Sequence, residues 1–416
     1  MDPLSELLDL PFAERAEQGI AHTPSEIAQQ PDTWLTTFAS MQDQQENIRE
    51  FLISAGLREK SRQKPRVFLI GAGTSDYIGR CLHHLLRQQW QCEVIPVSST
   101  ELLTEFSEYL LPNRQDIWIS FSRSGDSPEG VAILERAIAE MPSIHHLLIT
   151  CNGEGQMIRA MQGSPRSLSI LLDDATNDRS LAMTSSFSNM VLAGQILANV
   201  WSFAQFEPIC AALSDAGRHF LPAAAEAAAN LAKQDYRRVC FLGSAALAGT
   251  AQESALKVLE LTVGRVKTMA ESTLALRHGP MAALDQESLL VNFLSSVQPR
   301  RNYELDLLRE VGTKKLVRTC VAVAASGSAL LPGGDIGELV APSGQWNIPD
   351  LYRPVIDVLF GQLLGLFFSL EVGCRPDSPS PDGVISRVVQ NIDIYHHEGS
   401  QSEALFQAAL DKDSYA

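Results

Sequence analysis

Ile119-Ser120-Phe121-Ser122-Arg123-Ser124-Gly125-Asp126-Ser127-Pro128-Glu129-Gly130 reads as a strand, a sharp turn and the start of a helix. The apolar run ends at Phe121, Gly125 permits the turn, and Ser127-Pro128-Glu129 has the order N-cap, N1 and N2 of a helix. Such a turn gathers the hydroxyls of Ser122, Ser124 and Ser127 and free backbone N–H groups at a positive helix end. That is a cradle for phosphate. Arg123, within the turn, is either a forked cation for the same anion or a solvated side chain.

Outward from this stretch, short β-branched runs alternate with longer helical patterns, as in a parallel sheet covered by helices. One series of predicted strands is Val67–Gly71, Glu93–Val97, Ile117–Phe121, His146–Thr150 and Ser169–Leu172. A second is Val239–Gly243, Lys267–Met269, Leu289–Leu294, Cys320–Ala324 and Glu338–Val340. A helical zone from Thr184 to Gln205 and an Ala-rich helix over Pro222–Lys233 lie between them. Gly71 and Gly243 lie 172 residues apart, as do Phe121 and Phe293, and the same shift carries His146 to Arg318. A shared offset of this kind predicts an internal duplication. Domain edges are expected near residues 45, 215 and 375, the last at the turn-rich stretch Arg375–Gly383. The predicted division is 1–44, an N-terminal helical segment; 45–215, the phosphate-binding unit; 216–375, a second unit; and 376–416, a tail.

With 416 residues, 45% hydrophobic and 20% charged, the chain has an ordinary globular composition. A net charge of −16 and a pI near 5.0 argue against nucleic acid or an anionic membrane as partner. Seven cysteines, at 81, 92, 151, 210, 240, 320 and 374, fit neither metal-ligand spacing nor a disulfide framework, which leaves reduced thiols. The acidic N-terminal stretch does not read as a signal peptide, so a cytoplasmic protein is expected. Val355–Leu370 is apolar but interrupted by Asp357 and Gln362, and reads as a buried or dimer-interface helix.

Three further motifs carry chemistry. Leu69-Ile-Gly-Ala-Gly-Thr-Ser-Asp76 lacks the third glycine of a dinucleotide site, and no acidic residue ends the next strand. Gly71 and Gly73 are read instead as allowing a ligand close to the backbone, with Thr74 and Ser75 offering hydroxyls. In the helix after Gly243, Glu253, Lys257 and Glu260 stand at i, i+4 and i+7 and share one face. Ala, Leu and Val fill the other positions, so this face is either a solvated ion-pair face or a buried site whose carboxylate is tuned to carry protons. His278 precedes a Gly-Pro turn, and the remaining histidines show no metal spacing. No metal and no cofactor are expected.

Together, GAGTS at 71–75, SFSRSGDSPE at 120–129, ESALKVLEL at 253–261 and RHGP at 277–280 resemble the SIS (sugar isomerase) domain family. The stretches at 26–31, 181–187, 301–309 and 387–391 extend the resemblance to the AgaS type, isomerase-deaminases of tagatose and galactosamine 6-phosphates. It covers nearly the whole chain. The resemblance implies an α/β fold of two tandem SIS domains, each a mainly parallel five-stranded sheet flanked by helices in a flavodoxin-like three-layer arrangement.

By the same resemblance Ser122, Ser124 and Ser127 hold the phosphate, near Gly73, Thr74 and Ser75, with Arg123, Ser185 and Ser186 in the same substrate-binding set. Glu260 matches the base that moves a proton between C1 and C2. His278 matches the ring-opening histidine, which in the family reaches in from a neighbouring subunit and so implies a homodimer. Lys257 and Glu253 match the polar face that supports them. Gln390 stands where the related synthase carries a lysine, so a mechanism through that lysine is in doubt. Residues 384–395 would close over the site.

The implied reaction is deaminating isomerisation of D-galactosamine 6-phosphate to tagatose 6-phosphate, with water taken up and ammonia released. Glucosamine-6-phosphate deamination and plain aldose–ketose isomerisation use the same base and ring-opener. A non-catalytic phosphosugar sensor is the reading from another class; the intact Glu260 and His278 argue against it.

Overall fold

The computed structural model describes residues 1–58, 64–111, 114–326, 337–344, 346–380, 383–389 and 392–395. Its ten strands are β1 (Arg66–Gly71), β2 (Val94–Ser98), β3 (Asp116–Ser122), β4 (His145–Thr150), β5 (Ser167–Leu171), β6 (Arg238–Gly243), β7 (Lys267–Ser272), β8 (Ser288–Phe293), β9 (Thr319–Val323) and β10 (Glu338–Val340). They form two five-stranded sheets, ordered β2-β1-β3-β4-β5 and β7-β6-β8-β9-β10. Every strand pairing in both is parallel. β1, β3, β4 and β8 are buried along their whole length, which is why they read as near-continuous apolar runs.

The duplication extends to register and backbone. Val67 pairs with Ile117 in β1/β3, and Val239 pairs with Leu289 in β6/β8, an offset of 172 at both positions. In the fourth strand the offset grows by two residues: Trp118 pairs with His146, whereas its equivalent Leu290 pairs with Cys320. The counterpart of His146 is therefore Cys320, not the expected Arg318, because two extra residues enter the second connection. The residues before the two equivalent helices, Gly73 and Ala245, share one unusual conformation, φ/ψ of 56°/−123° and 55°/−124°. Glycine adopts it freely; alanine there is strained.

The eight longest helices among the described residues are α1 (Gln30–Asp43), α2 (Thr74–Trp90), α3 (Pro128–Glu140), α4 (Ser185–Ala198), α5 (Phe203–Ala232), α6 (Ala246–Leu261), α7 (Gln298–Thr313) and α8 (Pro354–Glu371). The Ala-rich helix expected to start at Pro222 is the second half of α5, which runs unbroken through Pro208 and Pro222. Phe206, Cys210, Leu213, Gly217, Phe220, Ala224, Ala228 and Leu231 are buried at three- and four-residue spacing along it. That burial outweighs the roughly 3 kcal/mol a helix-interior proline costs. The expected edge at 215 thus falls inside a continuous helix, and the two units share α5 instead of meeting at a linker.

A large core cluster draws on both sheets and on α1, α2, α4, α5, α6 and α8. α2 and α6 approach closely enough that a Cβ on Gly249 would lie 2.7 Å from the Cys81 backbone nitrogen. α8 is long and apolar enough to cross a membrane by composition, yet it is buried within the chain. Side chains at its Gly361 and Gly365 would run into Ser254 and Leu261 of α6. α6 is therefore clamped between α2 and α8, and its polar face is fixed with it.

Candidate active site

The serine loop follows β3. Ser127 is the N-cap of α3 with Pro128 at N1, as the sequence predicts, but its hydroxyl does not cap the helix; it donates to Glu129 Oε2 at 3.0 Å. Ser122 Oγ accepts the Gly125 N–H at 3.0 Å, and Ser124 Oγ accepts the Asp126 N–H at 3.2 Å. Gly125 has φ +67°, and a side chain there would press on Gly155, so the loop closes only with glycine at this position. The three serines line a cavity of about 160 Å³ with Gly71, Ser75, Ser99, Trp118 and Met183. Arg387–Val389, beyond α8, form part of its wall.

Gly71 and Gly73 differ in role. A Cβ on Gly71 would collide with the Ser75 backbone, so this glycine lets α2 close onto the strand end at the cavity wall. Gly243 does the same for Leu247 in the second unit. Gly73 faces open space.

Thr74 and Ser75 point opposite ways: Ser75 lines the cavity, and Thr74 turns toward α6. There Lys257 Nζ donates to Thr74 Oγ1 at 3.0 Å and lies 3.3 Å from Glu253 Oε1 and 2.6 Å from Glu260 Oε2. Thr74 Oγ1 also donates to Glu253 Oε1 at 3.3 Å. The side chains of Lys257 and Glu253 are 1% and 0% exposed, whereas that of Glu260 is 30% exposed. This is not a solvated ion-pair face. Burial, with the Glu260 charge added, raises the Glu253 carboxyl to about 8, and the Lys257 charge only partly counters it. For Lys257 burial acts downward, but the neighbouring Glu253 and Glu260 side chains outweigh it and raise its value. The face thus carries a buried carboxyl that keeps its proton, a locked cation, and one accessible carboxylate.

The second unit has no comparable cradle. Where the first has Ser122-Arg123-Ser124, the second has Leu294-Ser295-Ser296 at the same offset. Asp350, 4% exposed, fills that loop with its own carboxylate. Oδ1 accepts the Ser296 N–H at 2.9 Å and the Ser296 hydroxyl at 2.6 Å, and the Ser295 hydroxyl donates to Oδ2. Arg353 and Arg300 supply positive charge at 3.1 and 3.3 Å. Despite burial, Arg353 and the serine donors hold the Asp350 carboxyl below its ordinary value. The anion position of the duplicate is internally satisfied.

Other expected residues fall elsewhere. Ser185 and Ser186 are fully buried at the start of α4 and off the cavity wall. Asp178 accepts the Ser185 and Ser186 N–H groups at 2.9 Å and the Ser186 hydroxyl, while Gln29 Nε2 donates to Ser185 Oγ. Asp178 thus caps α4 through these N–H groups, and both serines lie off the wall of the serine-loop cavity. Arg123 is neither solvated nor paired to a carboxylate; it is buried and donates to backbone carbonyls. His278 is exposed on the turn after β7, and among the described residues no hydrogen bond or ion pair joins its ring to the Glu260 cluster. Gln390 lies outside the described residues. Arg387 belongs to the stretch that carries the resemblance but was not among the expected site residues, since a lone arginine in a polar tail carries no periodic signal.

No family model matches the chain. The chain is 36% identical over 381 residues to AgaS of Streptomyces coelicolor, covering 91% of this chain and 96% of that protein. It is 34% identical over 379 residues to the D-galactosamine-6-phosphate deaminase AgaS of Escherichia coli, covering 90% and 95%. Among solved structures, one from Clostridium novyi, named provisionally a tagatose-6-phosphate ketose/aldose isomerase, superposes with a TM-score of 0.86 at 30% identity. That match covers 92% of this chain and 97% of the other.

Proposed function

The chain belongs to the AgaS family of SIS-fold sugar-phosphate enzymes, and from that premise we propose that it converts D-galactosamine 6-phosphate and water to tagatose 6-phosphate and ammonia. The observation that carries this reading is Glu260: the one accessible carboxylate of the buried Glu253–Lys257–Glu260 face, tied through Lys257 to Thr74, the neighbour of the cavity-lining Ser75.

Ser122, Ser124 and Ser127 hold the phosphate and so fix the far end of the open chain. Glu260 takes the proton from C2 and returns it to C1, leaving an imine at C2. Lys257, locked between Glu253, Glu260 and Thr74, fixes the Glu260 carboxylate and supplies positive charge where the oxygen at C1 becomes negative. Water then adds to the imine carbon and ammonia leaves, so the net reaction is an isomerisation coupled to hydrolysis. Opening the pyranose ring first requires a proton moved between O5 and O1. We assign this to His278 of a second copy; its exposure on a turn supports donation across a homodimer interface. Sugar phosphates are intracellular metabolites, and we take the enzyme to act in the cytoplasm.

Aldose–ketose isomerisation without ammonia loss would use the same residues, and the name of the Clostridium novyi protein favours it as the second reading. The test offers galactosamine 6-phosphate, glucosamine 6-phosphate and a non-amino aldose 6-phosphate separately, and measures ammonia and ketose phosphate. Ammonia and ketose in equal amounts from galactosamine 6-phosphate are expected. Ketose from the non-amino sugar, with no ammonia from either amino sugar, would replace the deaminase reading.

A further inference from the structure

Two guanidinium groups border the cavity at the serine loop, and among the described residues neither makes an ion pair with a carboxylate. Arg123, 6% exposed, donates from Nη1 to the carbonyl oxygens of Ser180 and Leu181 at 3.4 and 3.2 Å. Its Nη2 donates to the carbonyl oxygen of Arg387 at 3.0 Å. Arg387, from the segment beyond α8, donates from its own Nη2 to Asn177 Oδ1 at 2.5 Å. All four partners are neutral oxygens.

Burying a cation against neutral dipoles is unfavourable, and a second cation beside it adds to the cost. Burial and the Arg387 charge both push the Arg123 guanidinium below its ordinary value; Asp178 and Glu26 counter this only from beyond contact. The arrangement becomes favourable when an anion enters between the two groups. The cavity they border is lined by Ser122, Ser124 and Ser127, so the anion that fits is a phosphate.

We propose that Arg387 is a phosphate-binding residue, which with Arg123 clamps the phosphate of the bound sugar and couples its arrival to docking of the 383–389 segment. The inference rests on the reading that the serine loop holds the substrate's phosphate. A dianion between two guanidiniums converts a repulsion into two charge-assisted contacts. Arg123 already holds the Arg387 carbonyl, so the segment is in register before the phosphate arrives. Val388 and Val389, next in sequence, then complete the cavity wall.

The test is a calorimetric titration of the full chain with inorganic phosphate at constant ionic strength, on the wild type, Arg387→Ala and Arg387→Lys. Arg387→Ala should weaken phosphate binding about tenfold, the equivalent of about 1.4 kcal/mol, and Arg387→Lys should recover part of the loss. KM for galactosamine 6-phosphate should rise by a similar factor in Arg387→Ala, with kcat within about twofold. Phosphate should also slow proteolysis within 383–389 in the wild type and not in Arg387→Ala. Arg387 is exposed, so thermal stability without phosphate should not change; a drop there with unchanged phosphate affinity would make it a structural residue and overturn the proposal. Phosphate binding is read without turnover. Lost phosphate affinity in a protein that releases no ammonia would therefore sink the deaminase reading alone. Normal ammonia release with equal phosphate affinity in all three proteins would sink the inference alone.

Discussion

Lys257 Nζ donates to Thr74 Oγ1 at 3.0 Å across 183 residues of sequence, and this bond links the two copies. Thr74 opens the helix beside the serine loop, while Lys257 belongs to the helix carrying Glu253 and Glu260. Replacing Thr74 by valine keeps the shape and removes a partner from both Lys257 and Glu253. Leaving a buried polar group short of a partner costs about 1–3 kcal/mol. Thr74→Val should therefore lower kcat more than it raises KM, a split that steady-state kinetics on the amino-sugar phosphate would resolve.

Ser124 faces the other direction, toward the phosphate. Ser124→Ala should raise KM for the phosphorylated sugar several-fold and leave kcat within about twofold, because the lost contact is equal in ground and transition states. An unchanged KM would place the phosphate elsewhere.

Much of this arrangement was legible in the sequence, for identifiable reasons. β1, β3, β4 and β8 are buried along their whole length and leave short apolar runs, the others less completely, and all ten strands were found within three residues of their ends. The Glu253–Lys257–Glu260 spacing exposed the polar face because apolar residues surround it. The role of Asp178 at Ser185 and Ser186 was not legible, since a serine pair at a helix start offers the same N–H groups to a capping carboxylate or to a phosphate. Asp350 was invisible for a related reason: its partners Ser295 and Ser296 are more than fifty residues away. Pro222 looked like a helix start because local propensity cannot register the burial that carries α5 through it.

Asp350 makes its own prediction. Removing one partner of a buried ion pair leaves the other uncompensated, at a cost of about 3–5 kcal/mol. Asp350→Ala should lose stability on this scale in denaturant unfolding, through the stranded Arg353. In the wild type, phosphate should titrate to one equivalent per chain, because the second loop already holds an anion.

Glu253 predicts a pH effect on stability. Its folded value, about 8, lies above the ordinary 4.5, so the folded chain holds a proton that the unfolded chain releases. Stability from this group is full below about pH 4.5 and is lost as pH rises toward 8. Glu253→Gln carries no such proton, so the wild-type stability should fall relative to the variant between pH 5 and about 8, as read from parallel denaturant curves. Two parallel pH profiles would contradict the buried, protonated carboxyl.

Ammonia release by Glu260→Gln, measured at saturating galactosamine 6-phosphate, tests the composite site most directly. Glutamine keeps the size of the side chain and cannot accept the C2 proton. General acid–base catalysis contributes about 10²–10⁴-fold, so kcat should fall by at least a hundredfold while inorganic phosphate still binds with wild-type affinity. Ammonia released at near the wild-type rate would show that the second copy does not perform the proton transfer.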